Sequence, residues 1–250
     1  MKFQNKIKEC LTSADEIILY KLIKYLKSIF YLIFILIVFS ACSGPSVKEE
    51  KDGLGRIVRK AIYKYNKIEF QEETKYLENT DKPLIKVYRK INNGTPVPWW
   101  IEVYSYENDR ISEIKFLVTI NNEKISSGKI KYQYETDKLK MAEYYSVTNI
   151  KNQNLNRHGF DLYYYSNNVI VNRRIIEYEY TQEAGESIQI SQYVIQYENN
   201  KIQSMETKML DRKTNEMITK NEANVDIINE IIINIKKSLK DRCIGNNLFR

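Results

Sequence analysis

The sequence predicts a mainly β (α+β) chain. The expected architecture is an antiparallel meander of repeated β-hairpins forming a one-sided curved sheet, with an amphipathic C-terminal helix packed on its apolar face. Three observations predict it. From about Arg56, apolar and polar residues alternate with a period of two. A unit made of a tyrosine, a short polar turn and a new strand recurs along the chain. Near residue 225 the period changes to that of a helix.

The N-terminus follows different rules. Residues 29–39 are eleven consecutive apolar residues, followed by Ser40, Ala41 and Cys42. A membrane-spanning helix needs ~20 apolar residues. A block of eleven behind Lys21, Lys24 and Lys27 and ahead of small residues has the proportions of a secretory signal. An uncleaved signal anchor is the other reading. Residues 1–20 are long for the basic leader of such a signal and carry Glu9, Asp15 and Glu16, so the residues before about 22 are expected to precede the true translation start.

The segment Phe39-Ser40-Ala41-Cys42 resembles the lipobox of bacterial lipoprotein precursors, with Phe39 at the usual leucine position in the spirochaete-like manner. The resemblance implies cleavage between Ala41 and Cys42 and transfer of a diacylglycerol to the Cys42 sulfur. It implies acylation of the new amino group as well. Each buried methylene is worth ~0.8 kcal/mol, so two or three acyl chains hold a protein on a bilayer. The expected address is the cell envelope. Ser43, in place of the aspartate that holds some lipoproteins at the inner membrane, points to the outer membrane.

The expected division is therefore 1–41 signal, 42–55 lipidated cysteine and polar tether, 56–220 sheet, and 221–250 helix and tail of the same domain. The whole chain carries a formal charge of +7, of which residues 1–41 hold +3. The remaining +4 over 209 residues is mild and not clustered, so no nucleic-acid partner is expected. Of the three cysteines, Cys10 leaves with the signal, Cys42 becomes a thioether and Cys243 is left alone, so no intrachain disulfide can form in the mature chain.

Within the body, "LGRIVRKAIYKY" reads as a strand over about 57–65 rather than a helix. "RKINNGTPVPWWIEV" reads as a hairpin bending at Asn93-Gly94, with Pro96 and Pro98 confined to the loop. In "SEIKFLVTI", Ile114, Phe116, Val118 and Ile120 share a face, and in "IIEYEY" Ile176, Tyr178 and Tyr180 oppose Ile175, Glu177 and Glu179. The recurring unit is "SYENDRISEI", "QYETDKLKMA", "YYSNNVIVNR" and "QYENNKIQSM", with its last tyrosine at 106, 134, 165 and 197. "DRKTNE" at 211–216 is a further hairpin tip. The unit resembles the tyrosine-aspartate repeats of bacterial surface proteins, most nearly in "YSYENDRI", although their glycine is missing. That resemblance implies a repetitive β scaffold without catalytic residues. In "NVDIINEIIINIKKSLKDRC", Val225, Ile228, Ile231, Ile232, Ile235 and Leu239 line one face of a helix of about five turns, with Glu230, Lys236 and Lys240 expected to face out and Gly245 as its stop.

No catalytic constellation is legible. His158 is the single histidine, which excludes a multi-histidine zinc site, and "NLNRHGF" places it on a surface loop. The chain has no phosphate-binding glycine loop and no nucleophile elbow. Glu177 and Glu179 are expected in solvent, and Cys243 is expected to be passive. No enzyme activity, cofactor or metal is therefore expected. Tyrosines paired at i and i+2 (63/65, 104/106, 132/134, 163/165, 178/180) read as cross-strand ladders that either complete the core or present a binding surface. Trp99, Trp100, Tyr104, Tyr106, Tyr132 and Tyr134 are the candidate surface, with the two tryptophans expected on opposite faces. Two roles stay open: a non-catalytic envelope lipoprotein that binds an unknown protein or envelope component, or a half-barrel carrier of lipid or another hydrophobic ligand. A cavity lined by tyrosine and isoleucine under the helix would favour the carrier.

Overall fold

The computed structural model describes residues 27, 29–31, 46–64, 67–120, 123–147, 154–181 and 186–245. Residues 41 and 42, the expected cleavage and lipidation positions, lie outside them. The chain divides into two compact units, Met1–Val47 with Ile62–Lys67, and Lys48–Ala61 with Ile68–Arg250. In the first, residues 27 and 29–31 are helical and exposed. Among the described residues no helix is long and apolar enough to cross a membrane.

Thirteen strands form one open antiparallel sheet whose spatial order is the chain order. They are β1 (Ser46–Lys51), β2 (Ile57–Lys64), β3 (Lys67–Tyr76), β4 (Pro83–Asn92), β5 (Thr95–Glu107), β6 (Arg110–Ile120) and β7 (Glu123–Glu135). The order continues with β8 (Lys138–Val147), β9 (Leu155–Ser166), β10 (Val169–Thr181), β11 (Glu186–Glu198), β12 (Lys201–Asp211) and β13 (Glu216–Glu222). A helix, α1 (Val225–Ile244), follows the strands. Residues 57–64 are strand as expected, and 212–215 form the expected hairpin tip. Residues 46–51, expected as part of a polar tether, are strand β1, exposed along its whole length.

The turns explain the meander. A two-residue hairpin of the type that matches strand twist needs positive φ at both central residues, which asparagine, aspartate and glycine tolerate. Asn93-Gly94 (φ 49° and 81°), Asn108-Asp109 (48° and 65°), Asn167-Asn168 (48° and 68°) and Asn199-Asn200 (50° and 62°) meet that need. At the Thr136-Asp137 turn Thr136 has φ 54°.

Neighbouring hairpins are stitched together at these tips. A cation near the start of one strand lies over the tyrosine of the next hairpin: Arg56 over Tyr76 at 4.7 Å, Lys82 over Tyr106 at 5.8 Å, Arg110 over Tyr134 at 5.4 Å, Lys138 over Tyr165 at 4.9 Å. The tyrosine hydroxyl returns a hydrogen bond to the backbone beside that cation, from Tyr76 to Ile57 O (3.0 Å), Tyr106 to Pro83 O (2.8 Å) and Tyr165 to Leu139 O (3.1 Å). The same cations reach the next turn, Lys82 to Asp109 at 2.7 Å, Arg110 to Asp137, and Lys138 to Asn168 O. The outer tyrosines therefore stack under cations and not under one another, as the expected ladders would require.

Each strand pair from β3 to β12 also carries a one-residue shift of register. Phe116 pairs with Gly128 and Leu117 with Ser126, so Ser127 is the extra residue of a bulge. Tyr144 pairs with Gly159 and Tyr145 with Arg157, so His158 is another. His158 thus belongs to strand β9 and is 5% exposed, which corrects its expected place on a surface loop. Pro96 and Pro98 lie within β5 rather than in the loop. Pairing of β5 with β6 begins only at Trp100, so both prolines precede the part of β5 that pairs on both sides.

The helix packs on one face of the sheet, mainly across β6–β8 and β12. Asn224 caps its start by accepting from the amides of Asp226 and Ile227, and Gly245 ends it in the left-handed conformation. Ile228, Ile232, Ile235, Leu239, Cys243 and Ile244 are buried against Ile114, Phe116, Ile130, Tyr144, Ile175, Ile195 and Met205. Val225 remains exposed, at the start of the stripe. Burying such side chains is worth ~1.5–3 kcal/mol each, so this interface contributes substantially to the unit's stability.

Three charged contacts run through it. Glu102 and Asp161, each 1% exposed, and buried Glu177 receive Lys240 Nζ at 2.8 Å, Lys236 Nζ at 3.8 Å and Arg242 Nη2 at 3.3 Å. Lys236 and Lys240 therefore lean onto the sheet instead of facing out. Glu177 is not in solvent either: Arg173, Ile175 and Glu177 form the buried, alternating set of β10. Asp161 is further neutralised by Arg173, whose Nε and Nη2 both lie at 2.7 Å.

Two glycines set the spacing. A Cβ built on Gly128 would stand 2.4 Å from Tyr145 O and 2.5 Å from Cys243 O, both backbone. One on Gly159 would meet a Leu239 methyl at 2.4 Å and Ile176 O at 2.9 Å. Thermal unfolding of the alanine variants checks this. Gly128→Ala is expected to cost about 3 kcal/mol, at the top of the overpacking range, and Gly159→Ala less, because the Leu239 side chain can turn aside. Equal or negligible losses would contradict the close seat.

Candidate functional site

The candidate surface starts from the β4–β5 hairpin. The Asn93-Gly94 turn places Asn92 opposite Thr95, and a register shift then places Tyr88 opposite Trp100, with Trp99 as the extra residue. The bulge overturns the expectation that the two tryptophans point to opposite faces. Their rings meet edge-on at 4.5 Å with 70° between planes. Trp100 stacks on Tyr88 at 4.3 Å and 19°, and Phe70 of β3 stands 5.8 Å from Tyr88, 6.1 Å from Trp100 and 6.5 Å from Trp99. Lys90 Nζ sits 3.7 Å from the Trp99 ring centre. All four rings are half-buried. The result is a rigid aromatic platform that still meets solvent.

Glu102 fixes it from below. Its carboxylate accepts from Tyr104 OH at 2.5 Å, Tyr88 OH at 3.4 Å and Trp100 Nε1 at 3.4 Å, besides Lys240. Burial first, and then the charge of Glu102, push the hydroxyls of Tyr88 and Tyr104 far above the usual tyrosine range, so both remain donors at every physiological pH.

The six candidate residues do not form one patch. Trp99 and Trp100 belong to the platform. Tyr104 is a core residue beside Glu102, and Tyr132 packs against the core half-buried. Tyr106 and Tyr134 are the stitched tyrosines at the hairpin tips. Phe70, Tyr88 and Glu102 were missed. Counting outward from Asn93-Gly94 brings Tyr88 near Trp100, but the shift that completes the pairing has no simple sequence mark.

The bulges at Ser127 and His158 dock the end of α1. Ser127 Oγ donates to Cys243 O at 2.9 Å, a carbonyl of the last helical turn. His158 Nε2 lies 2.9 Å from Leu239 O, which requires the proton on Nε2. Cys243 Sγ is 3.8 Å from the same nitrogen. Burial pushes the Cys243 thiol well above its usual range. Burial, aided by the charge of Arg242, lowers His158 to about 4, against the hydrogen bond to Leu239, which favours protonation. Each bulge residue is followed by the glycine that touches the helix, and "SSG" and "RHG" are the sequence marks that could have revealed both contacts. Among the described residues no group of three or more His, Cys, Asp or Glu is placed to hold a metal.

No family model matches the chain, and no curated protein matches it. Among solved structures, a Bacteroides fragilis protein of unknown function is similar at 14% identity and TM-score 0.39, covering 50% of this chain and 91% of its own. A DUF3836 family protein from Bacteroides vulgatus is similar at 14% identity and TM-score 0.29, covering 36% and 90%. The chain also matches part of a Photorhabdus luminescens Tc holotoxin pore structure at 11% identity and TM-score 0.36, over 70% of this chain and 9% of that one. At these scores none of the three establishes a shared family.

The buried histidine sets a pH dependence. The folded value near 4 lies below the ordinary 6.5, so the unfolded chain takes up the proton first. The contribution is complete above about pH 6.5 and falls away as pH drops toward 4, on the order of 3 kcal/mol in all. Denaturant unfolding across that window should show a steeper loss in the native chain than in His158→Gln. Identical slopes would contradict a buried neutral imidazole.

Proposed function

We propose that the protein is a non-catalytic lipoprotein of the cell envelope. In this reading Cys42 carries the acyl chains, the bilayer is its first partner, and the sheet displays the Phe70, Tyr88, Trp99 and Trp100 platform to a protein or other envelope component. The supports are of two kinds. The apolar block and Phe39-Ser40-Ala41-Cys42 give the anchor. The closed seat of α1 on Gly128 and Gly159 is the observation that favours display over carriage of a hydrophobic ligand. A carrier needs room between helix and sheet, and at this seat the helix backbone is already in contact with the strands. The platform, by contrast, is fixed from beneath by Glu102 and needs no internal space.

The experiment is an intact mass of the chain produced in a lipoprotein-competent bacterium, beside Cys42→Ala. The expected product begins at Cys42 and carries acyl mass, and the variant is expected to lack both changes. An unmodified, uncleaved chain would contradict the anchor and leave residues 29–39 as a signal anchor.

A further inference from the structure

Beside the last turn of α1 lies a cavity of about 310 Å³, on the scale of small-molecule sites. Three arginines from distant parts of the chain line it: Arg157 of β9, Arg212 of the β12–β13 turn and Arg242 of α1. Carboxylates hold each of them. Arg157 Nη1 meets Glu143 at 3.1 Å, Arg212 Nη2 meets Glu179 at 2.5 Å, and Arg242 Nη2 meets Glu177 at 3.3 Å while its Nη1 donates to Tyr178 O at 3.2 Å. These contacts use a minority of the five N–H donors on each guanidinium. They orient the forks and leave donors for a further acceptor.

His158 lines the same cavity, and its buried Nδ1 has no hydrogen-bond partner among the described residues. Because Nε2 carries the proton, Nδ1 is an acceptor closed off behind the cavity wall, and the ring senses the cavity through the wall it forms. Tyr178 and Tyr180 add half-buried ring surface to the wall.

We propose that this cavity binds a phosphate monoester. Guanidinium forks match phosphate oxygens, and a singly protonated phosphate has both the oxygens that three arginines require and an O–H for the Glu179 carboxylate on the same wall. The tyrosine rings face the organic part of the ester. Sulfate offers the same oxygens with no proton to give, so phosphate is preferred. The site is separate from the aromatic platform, and its existence does not depend on whether Cys42 is acylated.

The single histidine makes the test direct. The full chain in detergent, isotopically labelled at histidine, gives one imidazole to follow by NMR. Glycerol 3-phosphate is expected to shift the His158 resonances saturably, and sulfate is expected to act only at much higher concentration. Arg212, whose side chain is 72% exposed, can be changed with little risk to folding. Arg212→Gln is expected to weaken binding by about tenfold, the loss of one charge-assisted contact. Arg157→Gln is the second variant, and Arg89→Gln, at the distant ion pair with Glu73, is expected to bind as the native chain does. Vesicles containing phosphatidate, compared with phosphatidylcholine alone, separate a lipid headgroup from a soluble ester. Binding in either arm supports the site. No saturable shift and no phosphatidate-dependent binding would overturn it, as would an equal response to sulfate or unchanged affinity in both Arg212→Gln and Arg157→Gln.

Discussion

The structure depends on carboxylates buried in the sheet beneath a helix that supplies their counter-charges. An ionised carboxylate shut away from water is costly unless paired and hydrogen-bonded. Glu102 comes from β5 and Asp161 and Glu177 from the adjacent strands β9 and β10, and each is answered by a cation from the second half of α1. The apolar stripe supplies most of the burial energy but would tolerate several positions along the helix. The charges do not. A shift of α1 by one turn would part Arg242 from Glu177 and leave Glu102 and Asp161 with at most one lysine between them, Asp161 keeping Arg173. In physical terms, the isoleucines hold the helix down and the ion pairs fix where it lies.

The sheet has been built to receive it. Residues Ser127-Gly128 and His158-Gly159 use the same device, a bulge that turns a polar side chain toward the helix beside a glycine that removes the bulk in between. Away from the helix the meander relies on local repetition. Each tip joins a tyrosine, a cation and an asparagine-rich turn, so that each hairpin is tied to the next. Where the cation is missing, at Val169, a neutral contact replaces it: Ile170 N donates to Asn200 Oδ1 at 3.3 Å. Trp99 applies the bulge to a half-buried position and converts an ordinary hairpin into a platform.

The legible parts of this architecture were the local ones. Asparagine pairs at the tips, period-two strands and the helical stripe of Ile228, Ile232, Ile235 and Leu239 are decided by neighbours in sequence, and the chain states them openly. The buried face of β10 was not legible, because Arg173 and Glu177 look like solvent residues until Asp161 and Arg242 are placed beside them. His158 was misplaced for a similar reason: a polar residue before a glycine reads as a loop unless a bulge is considered. Strand β1 was hidden by its composition, since "SVKEEK" at an edge has no buried face to show. Of the candidate surface, Trp99 and Trp100 were visible as residues, while the register that joins them to Tyr88 and Phe70 was not.

Helix and sheet should therefore behave as one cooperative unit. Native-state hydrogen exchange of the full chain and of Lys240→Met tests this most directly. The account predicts that amides of α1 and of β6–β9 open with a common free energy, and that removing the Lys240 charge lowers that value equally in both. Exchange of the helix at a lower free energy than the strands, or a loss confined to the helix in Lys240→Met, would contradict it.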